Sequence, residues 1–132
     1  MRVEFPTTLD VRFHHHPQGV RWELLSPFVV VVNARAEDQR IIRCPPGFKT
    51  DFASVPRLPP VYLAYANKAH LAALVHDFLY QEGGGEPERE YADSVFLQGM
   101  LDTLVPEGDN SLTEEDAYAM HRGVRAFGAT HF

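Results

Sequence analysis

The stretch Asn67–Glu88, NKAHLAALVHDFLYQEGGGEPE, decides how this chain folds. Before it, apolar residues alternate with polar ones. Within it, Ala, Leu and Val recur at helical spacing from Asn67 to Tyr80, with Asn67 in the position of an N-cap. Gly83, Gly84 and Gly85 stop that helix, and Glu86-Pro87-Glu88 starts another, with proline in the first turn and acids near its positive end. The triglycine is not a phosphate loop, because it follows a helix rather than a strand and no Lys-Ser/Thr pair comes after it. Two helices joined by so short a glycine connection pack as antiparallel neighbours.

Working outward, the upstream third reads as strands. Val3 and Phe5 alternate with charged neighbours, as do Leu9, Val11 and Phe13, and then Val20, Trp22 and Leu24. Period-two alternation sets one face on a core and the other in water. Pro17-Gln18-Gly19 and Ser26-Pro27 are breaks between these runs. Phe28–Val32 is continuously apolar and predicts a more buried strand, and Arg40–Cys44 predicts another. Pro45-Pro46-Gly47 ends the strand region, and the prolines at 56, 59 and 60 keep the following linker out of helix. Downstream, the second helix runs to about Leu104, and Ser111 and Thr113 offer caps for a third that ends near Gly128. Strands first and helices after is the α+β pattern. The expectation is one domain over residues 1–132, with about five short strands in an N-terminal antiparallel sheet followed by three helices. Residues 1–45 are strand-rich, 46–66 form a proline-rich loop and 67–128 are helical.

A chain of 132 residues suits one domain and buries a core without staples. Cys44 is the only cysteine, so an internal disulfide is excluded, which suits a reducing compartment or a particle assembled in one. It reads as a small buried residue beside Ile41 and Ile42. The net charge of -6, without any Lys/Arg run, argues against a phosphate-tracking nucleic-acid surface. Met1–Asp10 lacks the apolar core of a signal peptide, and Phe28–Val32 is too short to span a bilayer. Synthesis in a cytoplasm is the expectation.

The residues that point to chemistry sit on the helical pair. Ala92, Val95, Phe96, Gly99, Met100 and Thr103 mark the buried stripe of the second helix, and Asp93 lies beside it. A carboxylate facing a core needs a partner. Arg89, one turn earlier, is the simplest; the other is on the preceding helix. There, His76 and Tyr80 share a face with Ala69, Ala72 and Ala73, whose small side chains allow close approach. Antiparallel packing brings Asp93 beside His76 and Tyr80. A carboxylate on one imidazole nitrogen fixes the tautomer and leaves the other nitrogen to take a proton from water. Tyr80 would brace the carboxylate. Asp77, at the edge of the same face, is placed to hold a hard cation such as calcium, which would polarise an ester or phosphoryl oxygen. The same cluster equally reads as a polar tie between helices with no catalytic role.

Several ordered motifs carry a family resemblance. Pro46–Arg57 (PGFKTDFASVPR), the segment from Ala73 to Tyr80 (ALVHDFLY), Arg89–Phe96 (REYADSVF) and Val124–Gly128 together resemble a small domain family of unknown function that is widespread in phages and prophages. The resemblance implies a phage or prophage origin and assigns no activity. More locally, His-Asp-x-x-Tyr followed by Asp-x-x-Phe on the next helix is similar to phospholipases of the A-two type, the disulfide-poor bacterial forms above all. That resemblance implies that His76 activates water, Asp77 binds calcium, Asp93 orients His76 and Tyr80 braces Asp93. The glycine-rich calcium loop of those enzymes has no counterpart here, because Gly47–Ser54 departs from it.

In Asp51-Phe52-Ala53-Ser54, the Asp51 and Ser54 side chains suit a capped turn ahead of the prolines. The functional alternatives make Asp51 a further metal ligand, Ser54 a nucleophile with His76 as base, and Arg57 an anchor for an anionic group. His14, His15 and His16 read as an exposed polar tract, and His70 and His121 as surface or boundary residues on helices. Two functions from different classes stand as expectations. One is a virion component (tail, baseplate or neck) or assembly factor that contacts other phage structural proteins or itself. The other is a small calcium-assisted esterase or phospholipase-like hydrolase acting on lipid or cell-envelope esters.

Overall fold

The computed structural model describes residues 1–16, 19–50, 70–103 and 113–131. The strands are β1 (Val3–Glu4), β2 (Val11–His16), β3 (Gly19–Leu24), β4 (Phe28–Val32), β5 (Arg40–Cys44) and β6 (Lys49–Thr50). The helices are α1 (His70–Glu82), α2 (Glu86–Asp102) and α3 (Glu114–Phe127), and a 3-10 turn, Gly128–His131, closes the described chain. The α+β class and the three helices agree with the sequence reading. The single sheet of about five strands does not: the strands form two antiparallel three-stranded sheets, ordered β1-β4-β5 and β2-β3-β6.

Two local features cause that split. Pro27 follows β3 and cannot extend its ladder, so the chain leaves the first hairpin and β4 pairs instead with β1 and β5. After Pro46 the chain turns back rather than ending its strand region. Gly47 takes a φ of +88°, open to glycine but strained for other residues, and its N–H donates to Leu24 O at 2.8 Å. The return sets Thr50 opposite Trp22 and Lys49 opposite Glu23, which makes the unforeseen β6.

The helix boundaries follow the glycines and caps. Gly83 and Gly84 both have positive φ, +72° and +120°, and end α1. The Glu88 side chain accepts from the Gly85 N–H at 2.9 Å, closing the first turn of α2. Thr113 and Asp116 cap α3 reciprocally, each accepting from the other's backbone N–H at 3.1 Å.

The β1-β4-β5 sheet lays Val3, Phe28, Val30, Val32, Ile42 and Cys44 on Leu74, Val75 and Leu79 of α1 and on Ala92 and Val95 of α2. On the far side of that helical pair, Ala72, Ala73, Phe96 and Met100 pack against Ala117, Met120 and Val124 of α3. The hairpin α1–α2 is thus the middle layer. It packs closely because of small residues: a Cβ on Gly99 would stand 3.3 Å from Ala72 Cβ and 3.1 Å from Phe5 Cζ. That closeness lets side chains on α1 reach α2. Cys44 is fully buried, and desolvation pushes its thiol up to about 12, as suits an inert core residue.

Strand alternation misplaces one residue. Phe13 shares the face of Val11, yet it is 51% exposed and packs edge-to-face on Trp22 with centroids 4.8 Å apart. Among the described side chains of the β2–β3 hairpin, Leu24 and in part Val11 join the core, and Phe13 lies beyond it.

Candidate functional site

The carboxylate of Asp93, on α2, is the centre of a cluster drawn from all three helices. His76 Nε2 lies 2.7 Å from Asp93 Oδ1, and the Tyr80 hydroxyl donates to the same oxygen at 2.5 Å. Arg125, on α3, donates through Nη1 to Asp93 Oδ2 at 2.8 Å and through Nη2 to Glu86 at 2.6 Å. The antiparallel hairpin therefore brings His76, Tyr80 and Asp93 together as their spacing predicts. The imidazole is held on its faces by Tyr80 and Phe96, with ring centroids 4.1 and 4.8 Å away. His76 and Asp93 are each 0% exposed, and Tyr80 is 2% exposed.

The charge assignment follows from the donors. Burial pushes the Asp93 carboxyl upward, but hydrogen bonds from His76, Tyr80 and Arg125 outweigh it and hold the group below the usual carboxylate range. Burial dominates at His76 and pushes the imidazole below its ordinary value, against the pull of Asp93. The countercharge of Asp93 is thus Arg125, and His76 is a neutral donor. An ionised carboxylate only accepts, so the proton sits on Nε2 and the tautomer is fixed with Nδ1 as the unprotonated nitrogen. Desolvation, then the hydrogen bond to Asp93, drive the Tyr80 hydroxyl upward, so it stays protonated.

His121 on α3, half-buried one turn before Arg125, is also pushed below its ordinary value, first by desolvation. Two imidazoles whose folded-state values lie below 6.5 are stabilising when neutral, and that stability is lost as pH falls through 6.5. Asp93 is depressed below 3.8 and adds its own loss only in stronger acid. The unfolding free energy from urea titration is therefore expected to drop from pH 7.5 to pH 5.5, with a slope below pH 6.5 of up to about 1.4 kcal/mol per pH unit for each imidazole. His121→Gln should flatten that slope, and a midpoint unchanged over this range would contradict the assignment.

The remaining expected residues separate. Asp77 is buried beside the cluster but turns to Gln81, whose Nε2 donates to Oδ2 at 3.2 Å. Calcium takes six to eight oxygen ligands. Both Asp93 oxygens are filled, and among the described residues no group of three or more His, Cys, Asp or Glu is placed to hold a metal ion. The described donors do not fit a calcium site, and no step is derived through one. Asp51, Ser54 and Arg57 lie outside the described residues. His14 is tied to Glu23 at 2.7 Å, and His70 is exposed at the start of α1.

Three charged residues have roles that sequence spacing misses. Arg89, the nearest cation to Asp93 in sequence, does not pair with it. It is 7% exposed and donates through Nη2 to Val124 O at 2.9 Å and Arg125 O at 2.8 Å, capping α3. Arg125 takes the place expected of Arg89, and Glu86 bridges the two arginines. The available signal was Arg125 itself, one helical turn past His121 on the stripe that carries Ala117 and Val124. Gly128 completes the closure, since a Cβ there would stand 2.7 Å from the Tyr80 hydroxyl.

No helix among the described residues is long and apolar enough to cross a membrane. No curated protein and no solved structure matches the chain. One family model does, over residues 22–113, which take in the end of β3, β4 to β6 and both helices of the hairpin but stop short of α3. The segment is well over half of the sequence, and the chain belongs to the family described as Protein of unknown function (DUF1353).

Proposed function

We propose that this is a phage- or prophage-encoded component of the virion, or of its assembly, in which the Asp93 cluster is a structural clasp. The observation that carries the clasp is burial with pairing: His76 and Asp93 are both 0% exposed, and both Asp93 oxygens accept from donors on α1 and α3. A water-activating imidazole needs a wet side. This one is enclosed by Tyr80, Phe96 and the hairpin itself. The phage setting is supported by the ordered motifs from Pro46 to Phe96 and at Val124–Gly128. The test is particle composition. Virions or assembly intermediates purified from a producing strain are expected to contain the protein in stoichiometric amount. Absence from both, with normal particle yield after deletion of the gene, would remove the proposal.

One observation favours a second reading, the small hydrolase of lipid or envelope esters. The bond from His76 Nε2 to a tyrosine-braced carboxylate is the pairing that holds a general-base imidazole in one tautomer. The discriminating assay is a calcium titration over a panel of esters and phospholipids, with His76→Ala beside the parent protein. The clasp predicts no turnover in either. Turnover that requires His76 and calcium would replace the clasp with the hydrolase.

A further inference from the structure

The outer edge of β2 carries an inference that does not depend on the helical cluster. In the order β2-β3-β6, β2 has a paired neighbour on one side only among the described residues. The direction of its backbone groups follows from β3. The Leu24 N–H donates to Phe48 O at 2.9 Å, and Leu24 O accepts from the Gly47 N–H at 2.8 Å. Leu24 thus spends both groups on the β6 side, and its partner Val11 is a non-hydrogen-bonded pair with it. On the other side of that pair, the Leu25 N–H donates to Asp10 O at 2.9 Å, as the alternation requires. By the same alternation, Arg12 and His14 bond to Glu23 and Arg21, while Val11, Phe13 and His15 turn their N–H and C=O groups outward. Such a row of unpaired groups is a template for another strand.

The side chains on that edge favour a particular occupant. Phe13 and Trp22 belong to neither hydrophobic cluster, and Phe13 is half exposed. Opposed strands must present the same face to each other, so a twofold pairing of β2 with itself can centre on a residue of this face. Centred on Phe13, it sets Phe13 against Phe13 and Val11 against His15, every one of them a residue with outward backbone groups. On the reverse face, Arg12 meets the His14–Glu23 pair of the other copy, which puts a cation beside a carboxylate.

We propose that the chain forms a twofold dimer through antiparallel β2–β2 pairing centred on Phe13, giving one continuous six-stranded sheet. Its partner is a second copy of this chain, and the contact is isologous. Sedimentation equilibrium of the full chain is expected to give the mass of two chains. His15→Pro removes an outward N–H but none of the β2–β3 bonds, so it should yield a folded monomer with unchanged circular dichroism. Phe13→Cys should crosslink to itself under mild oxidation, because hydrogen-bonded partners have Cα atoms about 5.5 Å apart, within disulfide reach. Arg12→Cys, off the axis, should crosslink poorly. A monomer at every concentration overturns the proposal. So does a dimer that persists in His15→Pro while Phe13→Cys fails to crosslink, and if His15→Pro does not fold, the two cysteine variants decide alone.

Discussion

Asp93→Ala is expected to cost about 3–5 kcal/mol of unfolding free energy, the range for removing one member of a buried charge-paired network. Three donors lose their acceptor at once. His76 and Tyr80 are sealed from water, so each bears the penalty of losing a buried hydrogen bond. Arg125 adds little, because its side chain is 32% exposed and retains Glu86. Urea denaturation checks the value. A loss below about 1 kcal/mol would contradict the buried, paired state of the cluster. Asp93→Asn separates shape from charge. It keeps an acceptor for His76 and Tyr80 but sets an amide group against the Arg125 guanidinium or turns it onto the two donors, so a partial loss is expected.

Phe96→Ala is expected to cost a similar amount, about 3–5 kcal/mol, through lost burial and the cavity left behind. Phe96 is 0% exposed, with His76 on one side and the α3 residues Ala117, Met120 and Val124 in the same cluster. Little around it can collapse inward, since Ala72 and Gly99 already bring the two helices into contact. The same truncation also frees one face of the imidazole. Under the clasp reading the variant is only less stable; under the hydrolase reading it changes turnover as well. Calorimetry together with the ester panel reads both.

Much of this arrangement was legible in the residues. The helical period from His70 onward, the triglycine, the Glu-Pro-Glu start and the Thr113 cap made the helical half legible, because helix signals are local; the cap expected at Asn67 lies outside the described residues. The meeting of His76, Tyr80 and Asp93 was legible for the same reason, since a short loop leaves two helices few ways to pack. What escaped was non-local. Arg89 sits nearest Asp93 in sequence, but its guanidinium reaches a third helix, and nothing in the spacing of α2 announces the carbonyls of Val124 and Arg125. The division into two sheets depended on Gly47 taking a left-handed turn, which a Pro-Pro-Gly segment permits without requiring. Phe13 followed the alternation but lay beyond the edge of the core, and alternation tells which way a side chain faces, not whether anything covers it.

The clasp closes only with Arg125, and α3 leaves the ribosome after the hairpin whose carboxylate it neutralises. Until then, a nascent chain that packed α1 on α2 would trap an anion in oil without a counterion, so the hairpin gains little by settling early. Final consolidation of the interior is therefore deferred until α3 has been made, and a ribosome stalled before Glu114 should display a hairpin that proteases still cut.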